Sequence, residues 1–175
     1  MKEITPKDLD GLAPAGDQAG PTHFHVLVAD SDEADRRFII WQLGKAWPCE
    51  RDMIVECAED GAEALEKIRG HRYALVVLDW NLSHLDGALV LRGMREVGVR
   101  VPVVVVSDQR REAVARDLET MAAAFVRRGT MNPYSFGSAI AASIQMQEDR
   151  CPVELSRCAA KRQVGVLASI GRVAA

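Results

Sequence analysis

Five apolar runs punctuate the chain: HVLVA at 25–29, IVECA at 54–58, ALVVL at 74–78, VPVVVV at 101–106 and AFV at 124–126. They are short enough for strands, and the continuous ones suit strands covered on both faces. Between them apolar residues recur at helical spacing. Residues 32–46 place Phe38, Ile39, Leu43 and Ala46 on one face, 61–69 align Ala62, Leu65 and Ile68, and 87–96 align Leu89, Val90 and Met94. Residues 110–122 and 134–147 complete the set. Strict alternation of strand and helix predicts an α/β fold: a doubly wound, five-stranded parallel sheet with five flanking helices. The flavodoxin-like strand order 2-1-3-4-5 is the commonest solution at this size, and its switch point lies between the first and third strands.

Residues 1–23 hold three prolines and few large apolar side chains, the composition of a flexible leader. The globular domain is expected over 24–148. Residues 149–175 then form an extension, either a short helix or disordered, too short for an independent DNA-binding or enzymatic domain. In it Arg150, Arg157, Lys161, Arg162 and Arg172 outnumber the acids, and Val164, Leu167, Ile170 and Ala174 make a weak apolar stripe.

With 175 residues, 48% hydrophobic and 27% charged, the chain has the composition of a soluble globular protein. A net charge of −3 gives no general field for nucleic acid or acidic membranes, and the basic tail lacks the aromatic interleaving of a nucleic-acid binder. No segment reads as a signal peptide or membrane span. Cys49, Cys57, Cys151 and Cys158 lack zinc-site spacing and disulfide-scaffold density, so they are expected to be reduced thiols in a cytoplasmic protein, with Cys57 buried in a strand.

The candidate chemistry follows from the topology. The run ALVVL leads straight into Asp79, Asp30 ends the first strand and Ser107 ends the fourth, so all three would meet at the carboxyl edge of adjacent strands. Carboxylates held together repel, and burial further disfavours their charged forms, unless a cation intervenes. A hard divalent ion such as Mg2+ suits oxygen ligands of this kind, and the implied reaction is phosphoryl transfer onto an aspartate oxygen.

Several segments together carry a family resemblance: VLVADSDEADRR after the start of the first strand, AEDGAEAL at 58–65, LDWNLSHLDG at 78–87, PVVVVSD at 102–108 and AAFVRRG at 123–129. From about 24 to 147 the chain resembles the receiver domain of bacterial two-component response regulators. The resemblance implies that Asp79 is the phosphoacceptor and that Mg2+ is bound by Asp79, by Asp30 through water and by the Asn81 backbone carbonyl. It assigns Ser107 to a phosphoryl oxygen, Phe125 to the switch aromatic and Gly87 to the turn before the next helix. It also implies a histidine kinase or histidine phosphotransfer protein as donor, a downstream protein target, and dimerisation through the 110–122 and 134–147 helices. With no effector domain in view, the expected output of a stand-alone receiver is protein contact.

The chain departs from the family pattern at its site. Ser31 stands where a second metal-binding acid is usual, and Asp32 comes one residue late, leaving Ser31 or Asp32 to act through water. Arg128 replaces a lysine, exchanging a compact ammonium for a wide planar fork. Gly129 replaces a proline, so the preceding peptide is expected trans and the loop more flexible. Leu82 and Ser83 replace Met-Pro, and Asp108 adds an acid beside Ser107. A degenerate pseudo-receiver, acting by phosphorylation-independent protein contacts, is the alternative these departures raise.

Blander roles stand beside each assignment. Asp79 alone would read as a cap or turn residue, Ser107 as a helix N-cap and Arg128 as a surface cation. Phe125 is core in either case, and His84 reads as a solvated turn residue. Trp80 is expected to cover the site partly, while Trp41 and Trp47 pack around the first helix. Asp30-Ser31-Asp32 also resembles the DxD nucleophile motif of haloacid-dehalogenase-type phosphatases, with Asp30 attacking. Against that reading stand Ala34 at the fourth position after Asp30, the lack of a late acidic pair and the lack of a cap domain.

Overall fold

The computed structural model describes residues 23–50, 52–110, 118–119, 122–147, 155–157 and 160. Strands β1 (Phe24–Ala29), β2 (Met53–Ala58), β3 (Leu75–Asp79), β4 (Val103–Ser107) and β5 (Ala124–Arg127) form one parallel sheet in the order 2-1-3-4-5. Helices α1 (Glu33–Ala46), α2 (Gly61–Gly70) and α3 (Gly87–Glu96) follow the first three strands, and α4 (Pro133–Gln145) follows the fifth. Of the helix expected at 110–122, the described residues are Arg110, Leu118, Glu119 and Ala122; Leu118 and Glu119 are helical, while Arg110 and Ala122 lie outside the helix. The leader, most of that helix and the tail's apolar stripe lie outside the described residues.

Period-two alternation divides the core into two layers. Val26, Val28, Leu75, Val77, Val104, Val106, Ala124 and Val126 face α1 and α4, where Ile39, Leu43, Phe136, Ile140 and Ile144 cover them. Leu27, Ala29, Val76, Leu78, Val103 and Val105 face α2 and α3, meeting Ala64, Ile68, Val90, Leu91 and Met94. Burial on both faces explains why β3 and β4 read as unbroken apolar runs, whereas the edge strand β2 is only half covered.

Helices α1 to α4 each start at a side chain that accepts from the free first-turn N–H groups: Asp32 for α1, Asp60 for α2, Asp86 for α3 and Asn132 for α4. Asn132 and Ser135 form a reciprocal capping box, with Pro133 at the first turn where its missing N–H costs nothing.

Some expectations are corrected. Phe38 is not on the buried face of α1: it is exposed and stacks on the still more exposed Trp41 at 6.5 Å, because the stripe on Ile39, Leu43 and Ala46 already fills the contact with the sheet. Trp47 does pack inward, against Phe24. Cys57 is a free thiol but half-buried, since β2 is an edge strand.

Cys49 is disulfide-bonded, with the other half of the bond outside the described residues, so the expectation of four reduced thiols fails there. A disulfide joins positions that folding brings together, which spacing along the chain does not reveal. The compartment argument built on reduced thiols loses that support. Leu155 lies fully buried in the layer that Cys49 lines, so this part of the extension docks on the domain.

Candidate functional site

Strand parity brings the site together. Asp30 shares the parity of Val26 and Val28, Asp79 that of Leu75 and Val77, and Arg128 that of Ala124 and Val126. All three therefore emerge toward the α1/α4 side at the carboxyl ends of their strands. Register sets their level: Ala29 pairs with Leu78, Asp79 with Val106, and Ser107 with Arg127. Ser107 has the opposite parity, that of Val105, and so lies toward the α2/α3 layer against which Phe125 packs.

Arg128 is the hub. Its Nη2 donates to Asp30 Oδ2 at 2.8 Å and to Asp79 Oδ1 at 2.6 Å, so one nitrogen bridges the two buried carboxylates. Nη1 lies 2.5 Å from Asp35 Oδ2 as an ion contact without hydrogen-bond alignment, and Nε is 3.8 Å from Asp108 Oδ2. The guanidinium is itself mostly buried; that burial works against its charge, but Asp30 and Asp79 more than offset it and hold it protonated. Asp35, on the first turn of α1, had not been singled out. Its spacing from Asp32 was the available signal, since an N-cap and the residue three later share the end of a helix.

The Asp79 carboxyl is raised above its ordinary range, chiefly by burial and secondarily by Asp30; Arg128 and the Asn81 N–H pull the other way without cancelling the rise. An acid with a raised folded-state pKa contributes stability while neutral, and that contribution is lost as pH climbs through its unfolded value, 3.8, toward the folded one. Asp79→Asn is therefore expected to stabilise the domain at pH 7, where the wild-type carboxyl is charged against its burial. In urea unfolding at a series of pH values, the gap should close below about pH 4. A gap that persists at low pH would mean that the asparagine acts by other contacts.

Ser31 and Asp32 are engaged elsewhere. The Ser31 hydroxyl meets Ser83 Oγ at 3.1 Å and accepts from the Ser83 N–H, while Asp32 Oδ1 accepts from the N–H groups of Ala34 and Asp35. Asp30 Oδ1 is taken by the Asp32 N–H at 2.9 Å, and the Asp30 carbonyl accepts from buried Arg36. The Asn81 side chain accepts from Gln109.

The loop after β3 is strapped to the start of α2. The Gly61 N–H donates to the Ser83 carbonyl, and exposed His84, at φ 60°, places Nδ1 3.1 Å from Asp60 Oδ2. At Gly87 a Cβ would stand 2.8 Å from the Asp79 carbonyl oxygen, so this position must stay small for α3 to start against the strand end. Ser107 is fully buried, its Oγ accepting from the Gln109 N–H at 3.1 Å, and Phe125 is half-buried rather than core. Trp80 is likewise half-buried. Arg128–Thr130 form a single 3-10 turn, with every peptide bond among the described residues trans.

An acidic cluster at the switch point of a 2-1-3-4-5 parallel sheet defines a class of α/β domain that works at the carboxyl ends of its strands. The chain belongs to the response regulator receiver domain family, matched over residues 26–128. It is 37% identical over 82 residues to the response regulator MprA of Mycobacterium sp. strain KMS, covering 47% of this chain and 34% of that one. The same identity and length relate it to MprA of Mycobacterium ulcerans strain Agy99, with 47% and 33% covered. The chain thus spans about a third of the length of these relatives. Among solved structures, the receiver domain of the Francisella response regulator 1452 aligns with a TM-score of 0.55 at 25% identity, over 73% of this chain and 99% of that one. The receiver domain of the response regulator NarL from Mycobacterium tuberculosis shares the fold, with a TM-score of 0.60 at 23% identity over 74% and 100%. The chain thus carries a receiver domain of two-component signal transduction, a family of signalling phosphoacceptors that are generally not classical enzymes.

Receiver domains generally bind Mg2+ at their acidic site. The donor set here does not fit that ion as it stands. The bridging position between Asp30 and Asp79 is filled by Arg128 Nη2, the remaining Asp30 oxygen is bonded, Ser31 is tied to Ser83, and Asp32 caps α1. Among the described residues no three His, Cys, Asp or Glu side chains are grouped so as to hold a metal ion. No helix of the described residues is long and apolar enough to cross a membrane.

Proposed function

We propose that Asp79 accepts a phosphoryl group from a histidine kinase or histidine phosphotransfer protein, and that the phosphorylated domain signals through changed protein contacts. The observation that carries the reading is the buried Asp79 carboxylate at the strand end, held by the guanidinium of Arg128 beside Asp30. An Asp79 oxygen forms the bond to phosphorus while the bond from phosphorus to the donor histidine nitrogen breaks; the ring leaves with the electron pair and takes up a proton.

Arg128 lies where it offsets charge on the transferred group, since hydrogen-bonding donors already aimed at the acceptor need little rearrangement. The Ser107 hydroxyl sits one residue past the partner of Asp79 and is the candidate donor to a phosphoryl oxygen. Turning toward it would release the Gln109 N–H and open room for half-buried Phe125 to repack, a two-state shift set off by local charge. The family generally works with histidine kinases or phosphotransfer proteins, which fits this donor class.

The test is intact mass after incubation of the full chain with acetyl phosphate. The wild type is expected to gain one phosphoryl group and Asp79→Asn none. A wild type that stays unmodified while folded would overturn the acceptor role and favour the phosphorylation-independent contact module. An adduct retained in Asp79→Asn but lost in Asp30→Asn would favour the DxD reading.

A further inference from the structure

We propose that the guanidinium of Arg128 is the resident cation of this site, standing where a divalent ion would bridge Asp30 and Asp79 and keeping that ion out. The inference rests on the acceptor reading of Asp79 for its consequence, phosphoryl acceptance without a divalent metal, but its binding half stands apart from it.

The geometry carries it. Two buried carboxylates 49 residues apart in sequence converge on one nitrogen, at 2.8 and 2.6 Å, distances typical of charge-assisted hydrogen bonds. A lysine ammonium is a compact point charge, whereas the planar guanidinium presents five donors at fixed angles and reaches several acids at once. Here it faces four, with Asp35 on Nη1 and Asp108 near Nε. A divalent ion entering between Asp30 and Asp79 would have to displace Nη2 from both and leave a buried guanidinium beside a doubly charged metal. The two residues that would improve metal binding are drawn away from the carboxylates: the Ser31 hydroxyl to the Ser83 strap and Asp32 Oδ1 to the α1 cap. The substitution at 31 and the substitution at 128 therefore point the same way, one removing a metal ligand and the other supplying a fixed cation.

In the transfer from acetyl phosphate, the Asp79 oxygen bonds to phosphorus as the phosphorus–oxygen bond to the acyl group breaks, and acetate leaves with the electron pair. No oxidant, reductant or proton is required. Arg128 then keeps two of its nitrogens among the phosphoryl oxygens and Asp30.

The experiment has two arms, run on the full-length wild type, Arg128→Ala and Arg128→Gln. In the first, Mg2+ is titrated while thermal unfolding and the fluorescence of Trp80, the neighbour of Asp79, are read. A ligand that binds the native state raises its melting temperature, so the wild type is expected to show no shift at millimolar Mg2+ and the variants a saturable rise of several degrees. An equal rise in wild type and variants overturns the proposal, as does the absence of any rise in either variant. Arg128→Gln keeps a polar side chain for Asp30 and serves if Arg128→Ala fails to fold without metal.

In the second arm, adduct formation from acetyl phosphate is timed in EDTA and in Mg2+. The wild-type rates should agree within about twofold, while those of the variants should differ by roughly tenfold or more. A wild-type adduct that forms only with Mg2+ overturns the proposal. No wild-type adduct in either condition refutes the acceptor reading alone, and the metal titration still decides whether Arg128 excludes the ion.

Discussion

Gly61→Ala is expected to lower the stability of the domain by about 3 kcal/mol, the upper range for forcing an atom into a packed site. A Cβ there would lie 1.8 Å from the Leu85 carbonyl oxygen and 2.7 Å from its carbon, and both are backbone atoms that no rotamer change can move aside. Relief requires the segment from Ser83 to Asp86 to shift as a body. That segment is fixed on both sides: Gly61 N–H donates to the Ser83 carbonyl, Ser83 meets Ser31, and Asp86 caps α3. The displacement would therefore also pull on the loop that leaves Asp79. Urea unfolding gives the stability change, and the rate of adduct formation from acetyl phosphate reports the loop. A loss under about 0.5 kcal/mol, the range of ordinary surface changes, would show that the loop yields freely and is no strap.

Leu78→Ala is expected to cost about 3–4 kcal/mol, from lost apolar transfer and the cavity left behind. Leu78 is fully buried in the α2/α3 layer with Leu27, Leu82 and Val105, where the sheet and two helices leave little freedom to collapse. The position of Asp79 should nevertheless survive, because Asp79 pairs with Val106 and Trp80 N–H donates to the Val106 carbonyl. The folded fraction of the variant is thus expected to accept the phosphoryl group at close to the wild-type rate. Chemical unfolding read beside adduct formation separates the two effects. A variant as stable as wild type would contradict the close packing of this layer, and a fully folded variant without an adduct would show that Leu78 positions the acceptor.

The acidic site and the metal question illustrate different degrees of legibility. Asp30, Asp79 and Ser107 could be placed together from the sequence because each ends an apolar run, and parallel strands put all such ends on one edge. Ser31 and Arg128 were visible as departures, but their partners were not. The hydroxyl of Ser31 was free in sequence to turn toward the carboxylates or toward Ser83, and only the nearby loop settles it. Asp32 comes one residue late for the family's second acid, and its capping of α1 gives that offset a physical cause. The bridge made by Arg128 depends on the level at which β5 ends relative to β3, which is a property of register rather than composition.

What the sequence by itself determined is the alternation of apolar runs with helical stripes, and hence a doubly wound sheet with its acids at one edge. These features are local, since strand burial and helix phase are each decided within a few residues. What only the tertiary structure decided is how those local choices meet. The docking of Leu155 and the capture of two carboxylates by one guanidinium join positions distant in the chain, and the outward turn of Phe38 and Trp41 follows from which stripe of α1 meets the sheet. Such contacts depend on packing and register, which pattern along a single chain does not encode.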